Sequence, residues 1–377
     1  MIPWLLATGD FTTLGGMDRA NHALASFLAR SGHAVHLVAH RIESALASTA
    51  GVHPHIVPRP FGADLAGAPL LARAAAHQAR VMGPSASVLM NGGNGAIGTP
   101  TWVHYLHAAY APQRAGSLRA RASSSAGRRY YLARERAALR AAPLIICNSE
   151  RTARDVEEHY GVERTRLRVI YYGSDANVFA NVTAEERTAA RSALGLSNGR
   201  LAAVFIGALG DRRKGFDVLF DAWQTLSRDA GWDVDLLVAG AGAEAAAWAT
   251  RARAAGIDRT VRVLGFREDV QTVLAASDVL VHPARYEAYG LGVHEALCRG
   301  IPAIVTDAAG VTERYPKSLG GLIVPSPIQR DALIAALRAW RTLASEWRSR
   351  TESAAASLRT RSWDEMAAEI AAAVSAA

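Results

Sequence analysis

His282-Pro283-Ala284-Arg285-Tyr286-Glu287-Ala288-Tyr289-Gly290-Leu291-Gly292-Val293-His294-Glu295-Ala296-Leu297 follows a short apolar run at 279–281 and passes into apolar positions at helical spacing. That order predicts strand, loop and helix, the repeating unit of a parallel sheet whose ligands gather at the carboxyl ends of its strands. The same unit recurs on both sides. Strands are expected at 202–206, 234–238, 261–264, 279–281 and 303–305, with helices at 216–227, 244–255, 270–275 and 292–298 between them. Earlier in the chain come strands at 2–7, 34–38, 88–90, 102–106, 144–147 and 167–170, and a helix at 17–31 that Gly32-His33 closes. Between the two series, residues 178–192 turn polar and charged. The expected architecture is α/β, with two Rossmann-like doubly wound domains facing across a cleft: residues 1–178, then 179–362.

Chemistry is therefore sought in strand-to-helix loops, where free helix N–H groups attract anions. In Gly9-Asp10-Phe11-Thr12-Thr13-Leu14-Gly15-Gly16-Met17 the paired glycines let backbone amides approach a phosphate or sugar, although a plain turn has the same composition. Gly207-Ala208-Leu209-Gly210-Asp211-Arg212-Arg213-Lys214-Gly215 sets three consecutive cations after a strand, where a diphosphate leaving group would lie. In the quoted stretch Glu287 falls in the loop, where a carboxylate can accept sugar hydroxyls. Tyr289, Gly290 and Leu291 bring amides toward a phosphate. Glu295, in the first turns of the helix, can hold a ribose diol, and it has a purely structural reading through the helix dipole.

Glu287 and Glu295 reproduce the Glu-x7-Glu signature, and the chain resembles the retaining glycosyltransferases of family 4, which have the GT-B fold. Gly290-Leu291, Glu295-Ala296, Arg299-Gly300-Ile301-Pro302, Gly310-x-x-Glu313 and Gly320-Gly321 follow in the family's order. The Gly15-Gly16 loop, His107, Asn148-Ser149-Glu150 and Lys214-Gly215 fall in matching places, so the likeness spans nearly the whole chain. It implies transfer of a hexosyl group from a nucleotide-diphosphate sugar, UDP slightly ahead of GDP, to a glycan, lipid-linked or small-molecule acceptor. It implies that Lys214 and an arginine hold the diphosphate, Glu287 the transferred sugar and Glu295 the ribose. His107 would meet the sugar or phosphate, Gly16 would lend its amide to the phosphates, and residues 363–377 would form a helix that packs back on the N-terminal domain. The family's arginine directly follows the glycine matched by Gly207, and here Ala208 stands there. Arg212 is the expected substitute, with Arg213 beside it. Two alternatives stay open: an epimerase or hydrolase of nucleotide sugars on the same scaffold, and a binding module without turnover, which the alanine at 208 favours.

The 377 residues include only Cys147 and Cys298, too few for a disulfide framework or a cysteine zinc site. No metal and no cofactor are expected. Asp233-Val-Asp235 opens a strand rather than ending one, and Gly240-Ala-Gly242 lacks the acid of a dinucleotide site, so it is taken as a tight turn. No apolar run reaches the roughly 18 residues of a membrane span, and the apolar start looks like a buried strand rather than a signal peptide. A cytoplasmic protein, either free or peripheral at the inner face of a membrane, is the expectation. The net charge of +8 favours an anionic partner. Eight arginines between Arg114 and Arg140, against the single acid Glu135, are either a solvated helix face or a patch for an anionic membrane surface. No nucleic-acid motif accompanies them. Loops at 59–77 and 110–127 are expected to shape the acceptor side. His33, His36, His40, His53 and His55 are placed at the surface or in turns.

Overall fold

The apolar runs become parallel strands in a computed structural model that describes residues 2–94, 98–112, 118–197, 199–210 and 212–377, with backbone only at 118–124. Contacts divide the chain into two units. One holds the chain as far as Ala111, the stretch that ends at Gly173, and Arg361–Ala377; the other holds Ser174–Thr360.

The first unit is built on β1 (Trp4–Ala7), β2 (Val35–Ala39), β3 (Val52–Ile56), β4 (Ser87–Asn91), β5 (Thr101–Val103), β6 (Ile145–Cys147) and β7 (Leu167–Val169), in the spatial order β3-β2-β1-β4-β5-β6-β7. Helices on both faces bury β1 completely, which is why Trp4-Leu5-Leu6-Ala7 is an unbroken apolar run rather than an alternating one. Strand β3 lies at the edge, the place where Pro54 is tolerated. Pairing of β3 with β2 stacks His53 and His55 on His36, with ring centroids 4.6 and 5.3 Å apart. These three histidines are therefore strand residues, His53 exposed and His36 and His55 partly so, which keeps the surface placement and corrects the turn. A second correction concerns 59–77: most of it belongs to helix α2 (Asp64–Met82), whose alanine, leucine and arginine content outweighs the internal Pro69. Helix α1 (Gly16–Arg30) leaves β1 through Gly15, and α3 (Leu118–Ala141) carries the arginine run, of which Arg114 and the side chains of Arg119 and Arg121 lie outside the described residues. The last helix, α4 (Trp363–Ser375), starts in a Ser362–Glu365 capping box, a device worth about 1 kcal/mol, and packs on α1 with Arg30 and Asp364 2.5 Å apart.

The second unit repeats the plan with β8 (Leu201–Ile206), β9 (Val234–Ala239), β10 (Val261–Gly265), β11 (Val279–His282), β12 (Ala303–Thr306) and β13 (Ile323–Val324), ordered β10-β9-β8-β11-β12-β13, every pair parallel. In each sheet the winding reverses beside the first strand, between β1 and β4 and between β8 and β11. Loops leaving paired strands diverge there and open a crevice, the position at which doubly wound sheets bind ligands. Among the described residues no helix is long and apolar enough to cross a membrane.

Candidate functional site

At the switch point of the second unit, the loop after β8 meets the loop after β11. Gly215 has φ 72°, and a Cβ there would fall 1.8 Å from the Pro283 carbonyl oxygen, so only glycine lets the two backbones touch. Arg285 ties them further: its amide donates to Arg213 O at 2.8 Å and its guanidinium to Arg212 O at 2.6 Å, while it grips Asp217 bidentately at 2.7 and 2.8 Å. Gly240 and Gly242 brace the same loop from behind. Their Cβ atoms would lie 1.8 Å from Gly207 O and 1.9 Å from Leu209 O, so this motif marks close backbone approach rather than a simple turn.

The bracing delivers Lys214 and Arg213 to Glu287. Lys214 Nζ donates to Glu287 Oε2, joined by Arg213 Nη1 at 3.4 Å and His282 Nε2 at 3.2 Å. Oε1 accepts no hydrogen bond among the described residues, so one oxygen is anchored and the other is open. Burial opposes ionisation of Glu287, but the Lys214 ammonium, the His282 hydrogen bond and the Arg213 guanidinium outweigh it and hold the carboxyl well below its usual range. Burial likewise pushes His282 down, against the pull of Glu287. Helix α5 (Leu291–Cys298) begins immediately beyond, capped by Gly290 at φ 105°, and its first amides have no partner within the helix. Glu295 lies in that helix, 5% exposed.

At the switch point of the first unit there is a cavity of about 420 Å³. Gly9 and Asp10 after β1, Asp18 on α1, residues 91–94 at the end of β4, Asp64 on α2 and Tyr130, Tyr131 and Arg134 on α3 all face it, as does His107. His107 is fixed by Glu135, the lone acid of the arginine run. Buried Glu135 accepts from the amides of His107 at 2.7 Å and Ala108 at 3.2 Å and from Tyr160 Oη. The His107 ring stacks on Tyr131 at 4.9 Å. Burial and the nearby Arg128 push the imidazole down to about 4, so it is neutral at physiological pH.

Asp18 is pushed from 3.8 up to about 7, by burial first and by Asp10 next, against Arg41 and Arg59. Its folded pKa is raised, so the folded state holds a proton that the unfolded chain releases from about pH 4 upward, and that stabilisation is lost as pH climbs to 7. Asp18→Asn is therefore expected to melt higher than the wild type at pH 8, by about 1–2 kcal/mol after solvent screening is allowed for. The two should converge at pH 4, as read by thermal denaturation at both pH values. An equal offset at both would mean that ionisation of Asp18 is not the cause.

The sequence-derived residues thus separate into two groups, Lys214, Arg213, Glu287, Gly290, Leu291 and Glu295 in one unit and Gly15, Gly16 and His107 in the other. Tyr289 is 1% exposed, with its hydroxyl 3.4 Å from His294, and its side chain is core. Arg212 offers its carbonyl to Arg285 and keeps its buried Nε without a partner among the described residues, while Arg213 is the guanidinium that reaches Glu287. Sequence reading missed His282, Arg285, Glu135 and Asp18. For His282 a signal existed, its place at the carboxyl end of β11. Asp233 and Asp235 are held by Arg341 and Arg200, far from this chemistry in role.

Two doubly wound parallel sheets on one chain, each with its loops gathered at a switch point, define the GT-B class. Residues 200–341 match the family described as Glycosyl transferases group 1, and residues 14–178 match Glycosyltransferase Family 4. The chain thus carries one domain matching each of these two glycosyltransferase models. A D-inositol 3-phosphate glycosyltransferase of Corynebacterium urealyticum is 31% identical over 48% of this chain and 45% of its own length. The lipopolysaccharide glucosyltransferase WaaG of Escherichia coli is 25% identical over 56% of each. The chain spans about half the length of the curated relatives it matches. Among solved structures, WaaG superposes with TM-score 0.78 at 19% identity, over 99% of this chain and 100% of that one. Anabaena Alr3699/HepE, in complex with UDP and glucose, gives 0.74 at 19% over all of both chains.

Proposed function

We propose that the chain transfers a hexosyl group, with retention, from a nucleotide-diphosphate sugar to a hydroxyl of an acceptor. The observation that carries this reading is Glu287, ionised and anchored through one oxygen by Lys214, Arg213 and His282, with its other oxygen open to sugar hydroxyls. Lys214 and Arg213 offset negative charge as it develops on the leaving diphosphate, and they are fixed in advance by the Gly215 contact, so little reorganisation accompanies the reaction. Arg213 takes the role of the arginine absent at Ala208. Within the Ser174–Thr360 unit the open amides at Leu291 suit phosphate oxygens and Glu295 holds the ribose; within the other unit the amides beside Gly15 and Gly16 are donors of the same kind. Neutral His107 serves sugar or phosphate as a hydrogen-bonding partner. Retention asks for positioning and electrostatics rather than a strong base, which fits a site with no free general base beside Glu287 among the described residues. UDP is the preferred nucleotide, in keeping with the UDP-bound HepE structure. The cavity of the first unit receives the acceptor. Exposed Arg129, Arg136 and Arg140 on α3 suit an anionic membrane surface, with the protein peripheral to it.

The test is a melting-temperature screen with UDP, GDP and ADP, without metal. UDP at a hundred times its dissociation constant should stabilise the wild type by about 2.7 kcal/mol, and Glu295→Ala should lose that gain. Stabilisation by none of the three would remove the nucleotide-sugar reading.

A further inference from the structure

Three histidines meet where the edge strand β3 pairs with β2, its single neighbour in the sheet. The register sets His36 beside His53 and Val38 beside His55. The His53 and His55 rings lie 4.6 and 5.3 Å from that of His36, at interplanar angles of 23° and 14°. His36 Nδ1 is 3.0 Å from His55 Nε2 and 3.2 Å from the amide nitrogen of Gln78 on α2. An amide nitrogen only donates, so His36 Nδ1 accepts, and His55 Nε2–H donates to the same atom. A proton on His36 Nδ1 therefore displaces His55 and forces the Gln78 amide to turn. A proton on His55 enters at Nδ1 and leaves that bond in place, but its charge then stands beside His53, two positions away on the same face of β3. The paired strand holds one added proton without losing a contact, whereas a released strand takes up three near pH 6.5.

No opposite charge relieves the cluster. Strand β1 sets Leu5 beside His36, α2 brings the neutral Gln78, and among the described residues the only charges acting on His36 and His55 are those of the other histidines. Burial first, and these neighbours next, push both imidazoles below their ordinary value of 6.5. The released strand then binds more protons than the paired one as pH falls through 6.5, so pairing weakens toward acid. A metal is not the occupant these rings suit, since among the described residues no three His, Cys, Asp or Glu side chains are grouped to hold one.

Strand β3 runs directly into the cavity wall. Val57 is held by His40 Nδ1 at 2.9 Å and by the Ala39 carbonyl at 2.8 Å, and two residues further on Arg59 lines the cavity and pairs with Asp10 and Asp64. We propose that His36, His53 and His55 form an acid-sensitive latch: uncharged, they clamp β3 to the sheet, and charging more than one of them releases β3 together with the Arg59 wall of the cavity. Its consequence for transfer, a loss of acceptor binding in acid, rests on the reading of that cavity as the acceptor's.

The experiment is hydrogen–deuterium exchange of the full chain at pH 7.5 and 5.5, corrected for intrinsic rate and read on β3 and on β4, a strand of the same sheet without histidine. Wild-type protection of β3 should fall about a hundredfold between the two, about tenfold for each of the two protons that pairing excludes. Protection of β4 should change by less than about threefold, because the opening is local. In His53→Gln combined with His55→Gln each amide can turn its oxygen toward a protonated His36, and the β3 change should drop below about threefold. His55→Gln alone keeps a donor toward His36 and excludes one proton fewer, so about tenfold should remain. A wild-type β3 change below threefold, a hundredfold change that survives in either variant, or a β4 loss equal to that of β3 would each overturn the latch. Failure of the acceptor reading would leave these exchange values as they are, since they are read without sugar or nucleotide.

Discussion

Lys214→Ala is expected to slow donor turnover about a thousandfold, measured as UDP released from UDP-glucose, because the residue acts at two points at once. In the proposed reaction it supplies a fixed cation where the diphosphate gains charge, and loss of one such donor costs on the order of 10² to 10³ in rate. It is also the chief reason that Glu287 is ionised despite burial. With the ammonium gone, Glu287 keeps only His282 at 3.2 Å and Arg213 at 3.4 Å, and burial drives its pKa upward. The sign follows from the wild-type shift. A depressed carboxyl adds stability above its unfolded pKa and loses it as pH falls through the folded one. In Lys214→Ala that loss begins at a higher pH, so the acid limbs of both stability and activity move toward neutrality. Removing one partner of a buried pair also costs about 3–5 kcal/mol, which raises the concern that the variant merely unfolds. Lys214→Ala combined with Glu287→Gln separates the two effects: stability should largely return, and turnover should not. Turnover within about threefold of wild type in the single variant would sink the assigned role of Lys214.

What the sequence made legible follows from what is local. Strand, loop and helix at 279–298 lie within one continuous stretch, so the place of Glu287 at a strand's carboxyl end could be read from apolar spacing alone. The two doubly wound halves follow from repetition of that unit, and GT-B from the resemblance carried by Glu287 and Glu295. Strand β3 escaped because Val52-His-Pro-His-Ile has no apolar run; it owes its existence to pairing with β2, a tertiary effect. Helix α2 was obscured by Pro69. Arg212, Arg213 and Lys214 are indistinguishable as a string of cations, and only the Gly215–Pro283 contact decides which of them turn to Glu287. Arg285 finds Asp217 across 68 residues, and Glu135 finds His107 across 28, distances at which sequence pattern carries no information. Asp18 looked like an ordinary acid in the first turn of a helix, since its meaning comes from the carboxylates and walls around it.

Gly215→Ala is expected to destabilise the unit Ser174–Thr360 by about 3 kcal/mol or more, a melting shift of roughly 6–12 °C for a body of that size. Two costs combine. At φ 72° an L-residue pays about 1 kcal/mol, and a Cβ 1.8 Å from the Pro283 carbonyl forces backbone apart from backbone. Gly256→Ala isolates the first cost, because Gly256 has φ 68° and open space around its missing Cβ. It should lose only about 1 kcal/mol, and the difference between the two variants measures the contact itself. The contact also has a functional consequence, since Lys214 adjoins Gly215 and Glu287 follows Pro283 in the opposing loop. Forcing the loops apart takes the ammonium from the carboxylate, so Gly215→Ala should weaken UDP binding even below its melting temperature, and Gly256→Ala should not. Equal melting temperatures in the two variants would mean that the loops yield freely to a methyl group. Preorganisation of Lys214 against Glu287 would then need another source.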